Sequence, residues 1–379
     1  MSATVTKAGP YYSTGSISFS TLRSNFRSQL PDGSFNSDAL PIKASELLRD
    51  TNVTPSSGEF STNPIVPDST ENQYISTSNN WKTSQFRNSI KYYFITQTGT
   101  DDNTSSLSSP GFNITTQTWN SNLNKSVKKY LYINGTVGSA TTSQPAASLS
   151  SEVYNLVIDV SGSILGAGGA GGGSNASYPV NGENGGNSLY VVSTGSVVTV
   201  NLKSTAQVYG GGGGGEKGKT GDDGATGTCY SYSSYSNGGC GGCPGCNGGD
   251  INDGCSSGGG CDCGKGGCRN TYYTTYCRHP NPYSVPGAAG GVGGNGGNGQ
   301  GYTQTKTLGS IGVDGATGGC PNYGANGYKG ETGGDGGDWG TAGGSTTNTG
   351  SLGSAGAAII GSNYRVTGTQ NSATIKGQF

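Results

Sequence analysis

Ten cysteines and a band of tyrosines carry most of the chemistry this chain offers. The cysteines are Cys229, Cys240, Cys243, Cys246, Cys255, Cys261, Cys263, Cys268, Cys277 and Cys320, so nine of them crowd into one stretch of about 50 residues. The same stretch holds Tyr230, Tyr232, Tyr235, Tyr272, Tyr273, Tyr276 and Tyr283, together with Arg269, Arg278 and His279, the single histidine. An even, clustered set of cysteines among few apolar neighbours fits a loop held by disulfides. Two other readings compete with it. Cys240-Gly-Gly-Cys243-Pro-Gly-Cys246 has the C-x2-C-x2-C spacing of thiolate clusters. Cys255, Cys261 or Cys263 would supply the fourth ligand, and buried free thiols are the third reading. The expectation carried forward is that all ten cysteines form disulfides, with no metal and no cofactor. For the tyrosines, the choice is between coverage of a sheet face and exposed recognition. Tyrosine gives a large amphipathic contact at low entropy cost, and Ser, Gly and Asn accompany it here as they do in binding loops. The seven tyrosines, Arg269, Arg278 and His279 are therefore expected to contact a receptor, the cations meeting anionic groups on a surface glycan.

Catalysis is poorly supported. A Ser–His–Asp arrangement would have to use His279, which lies in His-Pro-Asn-Pro, and no G-x-S-x-G elbow accompanies it. Gly215-Glu-Lys-Gly-Lys-Thr220 lacks Walker A spacing. Gly333-Gly-Asp-Gly-Gly-Asp338 occurs once, without the nine-residue repeat of a calcium-binding roll. Asp222-Asp223 reads as a solvated edge. No enzyme activity is expected. A net charge of −1 gives no basic bias toward nucleic acid. No apolar run is long enough for a membrane-spanning helix. The first residues, Met1-Ser-Ala-Thr-Val-Thr6, lack the apolar core of a secretory signal, so signal-dependent export is not expected.

The elements that position these residues divide at about residue 161. Of the 73 glycines, only 8 precede residue 162. Residues 1–72 read as an extended attachment segment with short helices, in which Ile17–Arg23 and Ile42–Arg49 echo each other and Ser20 and Ser45 are possible caps. Residues 73–161 read as a small β-rich module, with strands at Tyr92–Thr98, Tyr130–Asn134 and Val153–Val160 around Trp81, Phe86 and Trp119. Beyond residue 161, strand-like stretches such as Leu189–Leu202 and Ala206–Tyr209 alternate with glycine-rich runs. The runs keep a period of three, with glycine at 309, 312, 315 and 318 and again from 324 to 336. That period matches the three residues per turn of an extended left-handed helix, whose backbone must find hydrogen-bond partners outside itself. With few apolar side chains available, the expected fold class is mostly non-helical in the α sense: a small β-rich N-terminal part followed, over 162–379, by a bundle of packed polyglycine-II helices with inserted loops, the largest being 229–286.

Strand-like stretches entering glycine runs, at Ile164–Gly173 and Val208–Gly215, resemble the glycine-rich domains of bacteriophage tail fibre proteins. The Gly-Gly-X runs separated by unrelated loops resemble the distal receptor-recognising adhesins of T-even-type phages. The resemblance implies a virion tail protein, extracellular after release, whose loops recognise the bacterial surface. Release by lysis exposes thiols to an oxidising medium, which suits disulfides without a signal peptide. The implied partners are other tail proteins through the N-terminal part and a host receptor, either a glycan or an outer-membrane protein, with a homotrimer as the fibre precedent. Neither nucleic-acid binding nor membrane insertion is implied. Two alternatives stand beside this reading: a purely structural virion or extracellular protein, and an ice-binding polyglycine-II protein.

Overall fold

A computed structural model of the chain describes residues 6–8, 49–50, 66–67, 92–102, 127–173, 181–229, 232–238, 251–258, 272–278, 283–316, 326, 328–346 and 350–379. All regular secondary structure among them is β. Strands are numbered along the chain. The early ones are β1 (Thr6–Ala8), β2 (Arg49–Asp50), β3 (Val66–Pro67), β4 (Tyr92–Gln97) and β5 (Thr100–Asp102). Then come β6 (Lys128–Ile133), β7 (Thr136–Gly138), β8 (Ala147–Ser151), β9 (Leu156–Val160) and β10 (Ser163–Leu165). Next are β11 (Leu189–Ser193), β12 (Val198–Leu202), β13 (Gln207–Tyr209), β14 (Gly227–Cys229) and β15 (Tyr232–Gly238). The last are β16 (Ile251–Gly258), β17 (Tyr272–Arg278), β18 (Tyr283–Val285), β19 (Ile359–Ser362), β20 (Tyr364–Gly368) and β21 (Ile375–Lys376). The chain forms two units: Met1–Lys217 with Asn295–Ser310 and Gly333–Phe379, and Gly218–Gly294 with Ile311–Thr332.

The first unit is a winding of parallel strands around three sheets. Their orders are β1-β4-β6-β9-β12-β20, β21-β13-β10-β7-β5 and β19-β11-β8. From β6 onward the chain visits the three sheets in strict rotation, and each visit adds one strand beside the previous one. All pairings in these sheets are parallel except that of β1 with β4. Rotation explains the core. Alternate residues of a strand face inward, so identical register stacks apolar residues from successive turns. Ile95, Leu131, Ile158, Val200 and Val366 form one such column. Val137, Ile164, Val208 and Ile375 form another. Leu131, Ile158, Val200, Val137, Ile164 and Val208 are completely buried. The opposite face of the first sheet stacks Thr96, Tyr132, Asp159, Asn201 and Thr367. There Asn201 donates to Asp159 at 2.9 Å and Lys203 pairs with Asp159 at 3.2 Å.

The corners are stacked too. Thr136 donates to the Gly99 carbonyl at 2.8 Å, and Ser163 donates to that of Gly135 at 2.8 Å. A Cβ on Gly135 would lie 2.0 Å from the Gly99 oxygen, so the close approach of successive corners excludes a side chain. Gly99 itself has φ of 81°, the left-handed region in which glycine carries no Cβ penalty.

Lys129 is an exception inside this core. It is completely buried, and its ammonium donates to the carbonyls of Val127 at 2.9 Å and Tyr154 at 3.0 Å. Burial lowers its pKa to about 7. The unfolded chain therefore binds more protons than the folded one between about pH 7 and the ordinary lysine range, and stability rises with pH across that window. Urea unfolding at pH 7 and pH 9.5 should show the wild type gaining stability relative to Lys129→Met. Parallel pH profiles for the two proteins would contradict this assignment.

The fold class expected from sequence is corrected here. Among the described residues there is no helix, and the core of the glycine-rich half is built from sheets, not from packed polyglycine-II helices. The apolar residues of that half are few but concentrated at inward strand positions. Leu189, Val191, Val198, Val200, Leu202, Val208, Ile359 and Ile375 join the residues of β6 to β10 in a single apolar cluster. Of the attachment segment, only Thr6–Ala8, Arg49–Asp50 and Val66–Pro67 are described, Arg49–Asp50 pairing in parallel with Val66–Pro67, and the Ile17–Arg23 and Ile42–Arg49 motifs otherwise lie outside the described residues. Trp81, Phe86 and Trp119 lie outside them as well.

Glycine runs occupy two of the three passages from the second sheet to the third, those after β10 and β13, while the passage after β7 holds no glycine. The passage after β7 takes residues 139–146, that after β10 takes 166–188, and that after β13 takes 210–358. Where β10 and β13 end, their pairing continues at a longer step. Gly166, Gly169 and Gly172 donate to the carbonyls of Tyr209, Gly212 and Gly215, each at 2.9 Å. Where β11 and β19 begin, Gly182, Gly185 and Ser188 donate to Ser351, Ser354 and Ala357. The side chains of Asn181, Asn184 and Asn187 accept from the backbone N–H groups of the same three residues at 2.8–2.9 Å. Extended segments thus prolong two of the sheets, exchanging a backbone bond at every third residue, with asparagine oxygens satisfying donors the backbone leaves open.

Candidate functional site

The second unit carries the cysteine–tyrosine insert and is built from the same three-residue step. Gly218, Gly221 and Gly224 donate to the carbonyls of Gly294, Gly291 and Ala288, each at 2.8 Å, so the two segments run antiparallel. Gly291 and Gly294 in turn donate to Tyr328 and Glu331, and Val313 and Ala316 donate to Val292 and Ala289. Gly218, Gly221 and Gly291 are each crowded by a neighbouring carbonyl. A Cβ on Gly221 would sit 2.1 Å from the Tyr328 oxygen, and one on Gly293 would sit 1.8 Å from that of Gly218. Charge lies on the outside. Lys219 meets Asp222 at 3.4 Å and Lys329 meets Asp314 at 3.4 Å, all four side chains more than half exposed. The Asp223 carboxylate accepts from the Gly290 N–H at 2.9 Å.

From this platform the chain leaves through β14 and returns through β18. These strands pair antiparallel, with Gly227 opposite Val285, Thr228 opposite Ser284 and Cys229 opposite Tyr283. Beyond that neck stands a three-stranded antiparallel sheet in the order β15-β17-β16. Its central strand, Tyr272-Tyr-Thr-Thr-Tyr-Cys-Arg278, is rich in the aromatic and β-branched residues that favour strands. Arg278 stands in register with Tyr232 on one side and Ile251 on the other, Tyr276 with Ser234 and Gly254, and Tyr272 with Gly238 and Gly258. A bulge between Asn252 and Gly254 shifts β16 by one residue.

The residues expected to contact a receptor are therefore partly gathered. Tyr232, Tyr235, Tyr272, Tyr273, Tyr276 and Arg278 share the insert sheet, and Tyr283 lies in the neck, 52% exposed. Tyr230, Arg269 and His279 lie outside the described residues. The disulfide expectation is corrected: no disulfide occurs among the described residues. Strand register gives the reason for the cysteines it includes. Cys277 stands opposite Ser233 and Asn252, Cys255 opposite Thr275 and Cys229 opposite Tyr283, so none faces another cysteine. Cys240, Cys243, Cys246, Cys261, Cys263, Cys268 and Cys320 lie outside the described residues, and the thiolate-cluster spacing lies there with them. Among the described residues, no group of three or more His, Cys, Asp or Glu side chains is placed to hold a metal. No helix among them is long and apolar enough to cross a membrane.

Sequence reading overlooked one feature of this unit. Val292, Ile311, Val313 and Tyr328 are 47%, 71%, 63% and 67% exposed, although apolar. The signal was present in triplets whose non-glycine position is apolar, such as Gly291-Val292-Gly293 and Gly327-Tyr328-Lys329.

The first unit is thus a stack of parallel, wound strands, and the second carries a three-stranded antiparallel sheet rich in tyrosine. Residues 94–275, just under half of the chain, match the family described as phage tail fibre adhesin Gp38. No curated protein and no solved structure matches the chain. The match supports a phage tail or adhesin role, with interactions toward other tail components and a host receptor, and a place in the virion tail outside the cell. It also corrects the resemblance drawn from sequence. The matched stretch starts well before the glycine runs, and the adhesin likeness stands without a polyglycine-II domain. The protein is non-catalytic: the matched family is one of adhesins.

Proposed function

We propose that this chain is the receptor-binding adhesin of a phage tail fibre or tail tip, and that residues 229–286 make the contact with the host. The single observation that carries this reading is the insert sheet. Its register gathers five tyrosines and an arginine of β15 and β17, between the two strands of the neck in sequence, in a protein whose first-unit sheets stack apolar residues inward. Tyrosine and arginine are the residue types most enriched where binding energy concentrates. The N-terminal part joins the chain to other tail proteins, in a homotrimeric fibre or as one copy at its tip, and the receptor is a surface glycan or an outer-membrane protein.

Antibodies raised against 229–286 should block adsorption of the phage, whereas antibodies against 128–165 should leave it intact. Unimpaired adsorption in the presence of saturating antibody against the insert would contradict this function and favour a purely structural tail component.

A further inference from the structure

We infer that one face of the insert sheet, the one carrying Tyr272, Thr274, Tyr276 and Arg278, binds an extended glycan chain laid along β17. This deepens the adhesin reading and rests on it. Side chains alternate across a strand, so residues 272, 274, 276 and 278 of β17 belong to one face and 273, 275 and 277 to the other. Antiparallel register fixes what shares the first face. Tyr272 has Gly238 and Gly258 as its two partners, Thr274 has Ser236 and Ser256, and Tyr276 has Ser234 and Gly254. Tyr272, Thr274 and Tyr276 thus have only glycine or serine in register on both flanks, and the central strand sets out a single file of aromatic and hydroxyl-bearing positions.

The composition selects the ligand. Interface cores that meet a protein partner combine Tyr and Arg with Trp, Phe and Met and are more apolar than the surrounding surface. On this face the register includes one aliphatic residue, Ile251, at the end of the strand. A sugar chain offers flat C–H faces to aromatic rings and hydroxyls to Ser and Thr. Tyr272 and Tyr276 are four residues apart, or about 13 Å along the strand, the reach of a short run of linked pyranose rings. At one end Arg278 stands in register with Tyr232. A guanidinium there suits a phosphate or carboxylate on the glycan, which it can meet with two parallel hydrogen bonds. The other face has no such file: its central positions are Tyr273, Thr275 and Cys277, with Asn237 and Ser257 beside Tyr273.

The test uses the full-length protein and lipid-free surface polysaccharide extracted from the host strain on which the phage grows. Binding is measured by calorimetry. Tyr272→Ala and Tyr276→Ala should each weaken binding by up to about tenfold, the scale of a lost aromatic contact. Tyr272→Phe and Tyr276→Phe should keep most of it. Arg278→Gln should weaken binding and flatten its salt dependence. Thr275→Ala, on the opposite face, should bind as the parent does. Unchanged melting temperatures separate these effects from unfolding, and the Phe variants keep the test open if an Ala variant unfolds. Equal losses from both faces would overturn the assignment of the face. Binding to host cells without binding to the polysaccharide would overturn the glycan and point to a protein receptor, leaving the adhesin reading in place. Failure to bind host cells at all would overturn the adhesin reading itself.

Discussion

Alanine at Tyr272, Tyr273 and Tyr276 together is expected to cut adsorption to host cells by about a hundredfold, because Tyr272 and Tyr276 share the binding face, an aromatic anchor at an interface typically contributes about 1–2 kcal/mol, and tenfold corresponds to about 1.4 kcal/mol. The protein should stay folded. The three residues belong to a small antiparallel sheet of the second unit, whereas the apolar cluster of the strand winding lies in the first. Circular dichroism and thermal melting of the variant should match the parent, and adsorption kinetics of phage carrying it supply the readout. Normal adsorption by a correctly folded variant would remove the tyrosines from the receptor contact.

Valine at Gly214 should have the largest effect on stability. This glycine is buried where three neighbouring segments meet. Its N–H donates to the Glu183 carbonyl at 2.8 Å, and its own carbonyl accepts from Gly353 at 2.9 Å. A Cβ added there would lie 1.9 Å from the Ala170 oxygen. No rotamer relieves a clash with backbone, so the segments must separate and several backbone hydrogen bonds fail together. A loss of about 3 kcal/mol or more is expected, against a typical total stability of about 5–15 kcal/mol. Lys219→Ala, at an exposed position of the second unit, should stay within about 0.5 kcal/mol of the parent. Urea unfolding of the two variants beside the wild type checks both values. Equal midpoints would mean that the glycine segments contribute little to the folded state.

These two predictions show where the sequence was legible. The phase of the glycines was readable, because many of them mark places where another backbone passes too close for a Cβ, as at Gly221 and Gly293. Strands at 92–97, 189–193 and 198–202 stand where runs of β-formers placed them. What they build was not readable. Parallel stacking joins Leu131 to Ile158 and Ile158 to Val200, partners about 30 and 40 residues apart, through register that no local pattern encodes. Counting apolar residues over the glycine-rich half as a whole hid the fact that they fall on inward strand positions, and this led to the expectation of a core without side chains. Tyrosine clustering marked the insert, but only register separates Tyr272 and Tyr276 from Tyr273. Lys129 gave no signal at all, since a lysine beginning a strand is ordinarily a solvated one.

The receptor contact is tested most directly by binding of the purified protein to host cells, with and without the insert. In one form residues 230–282 are replaced by a short Gly-Ser turn joining β14 to β18, and in the other the chain is whole. The intact protein should bind saturably and compete with the phage for adsorption. The shortened protein should neither bind nor compete, while melting as the parent does. Saturable binding and full competition by the shortened protein would contradict the placement of the receptor contact in the insert.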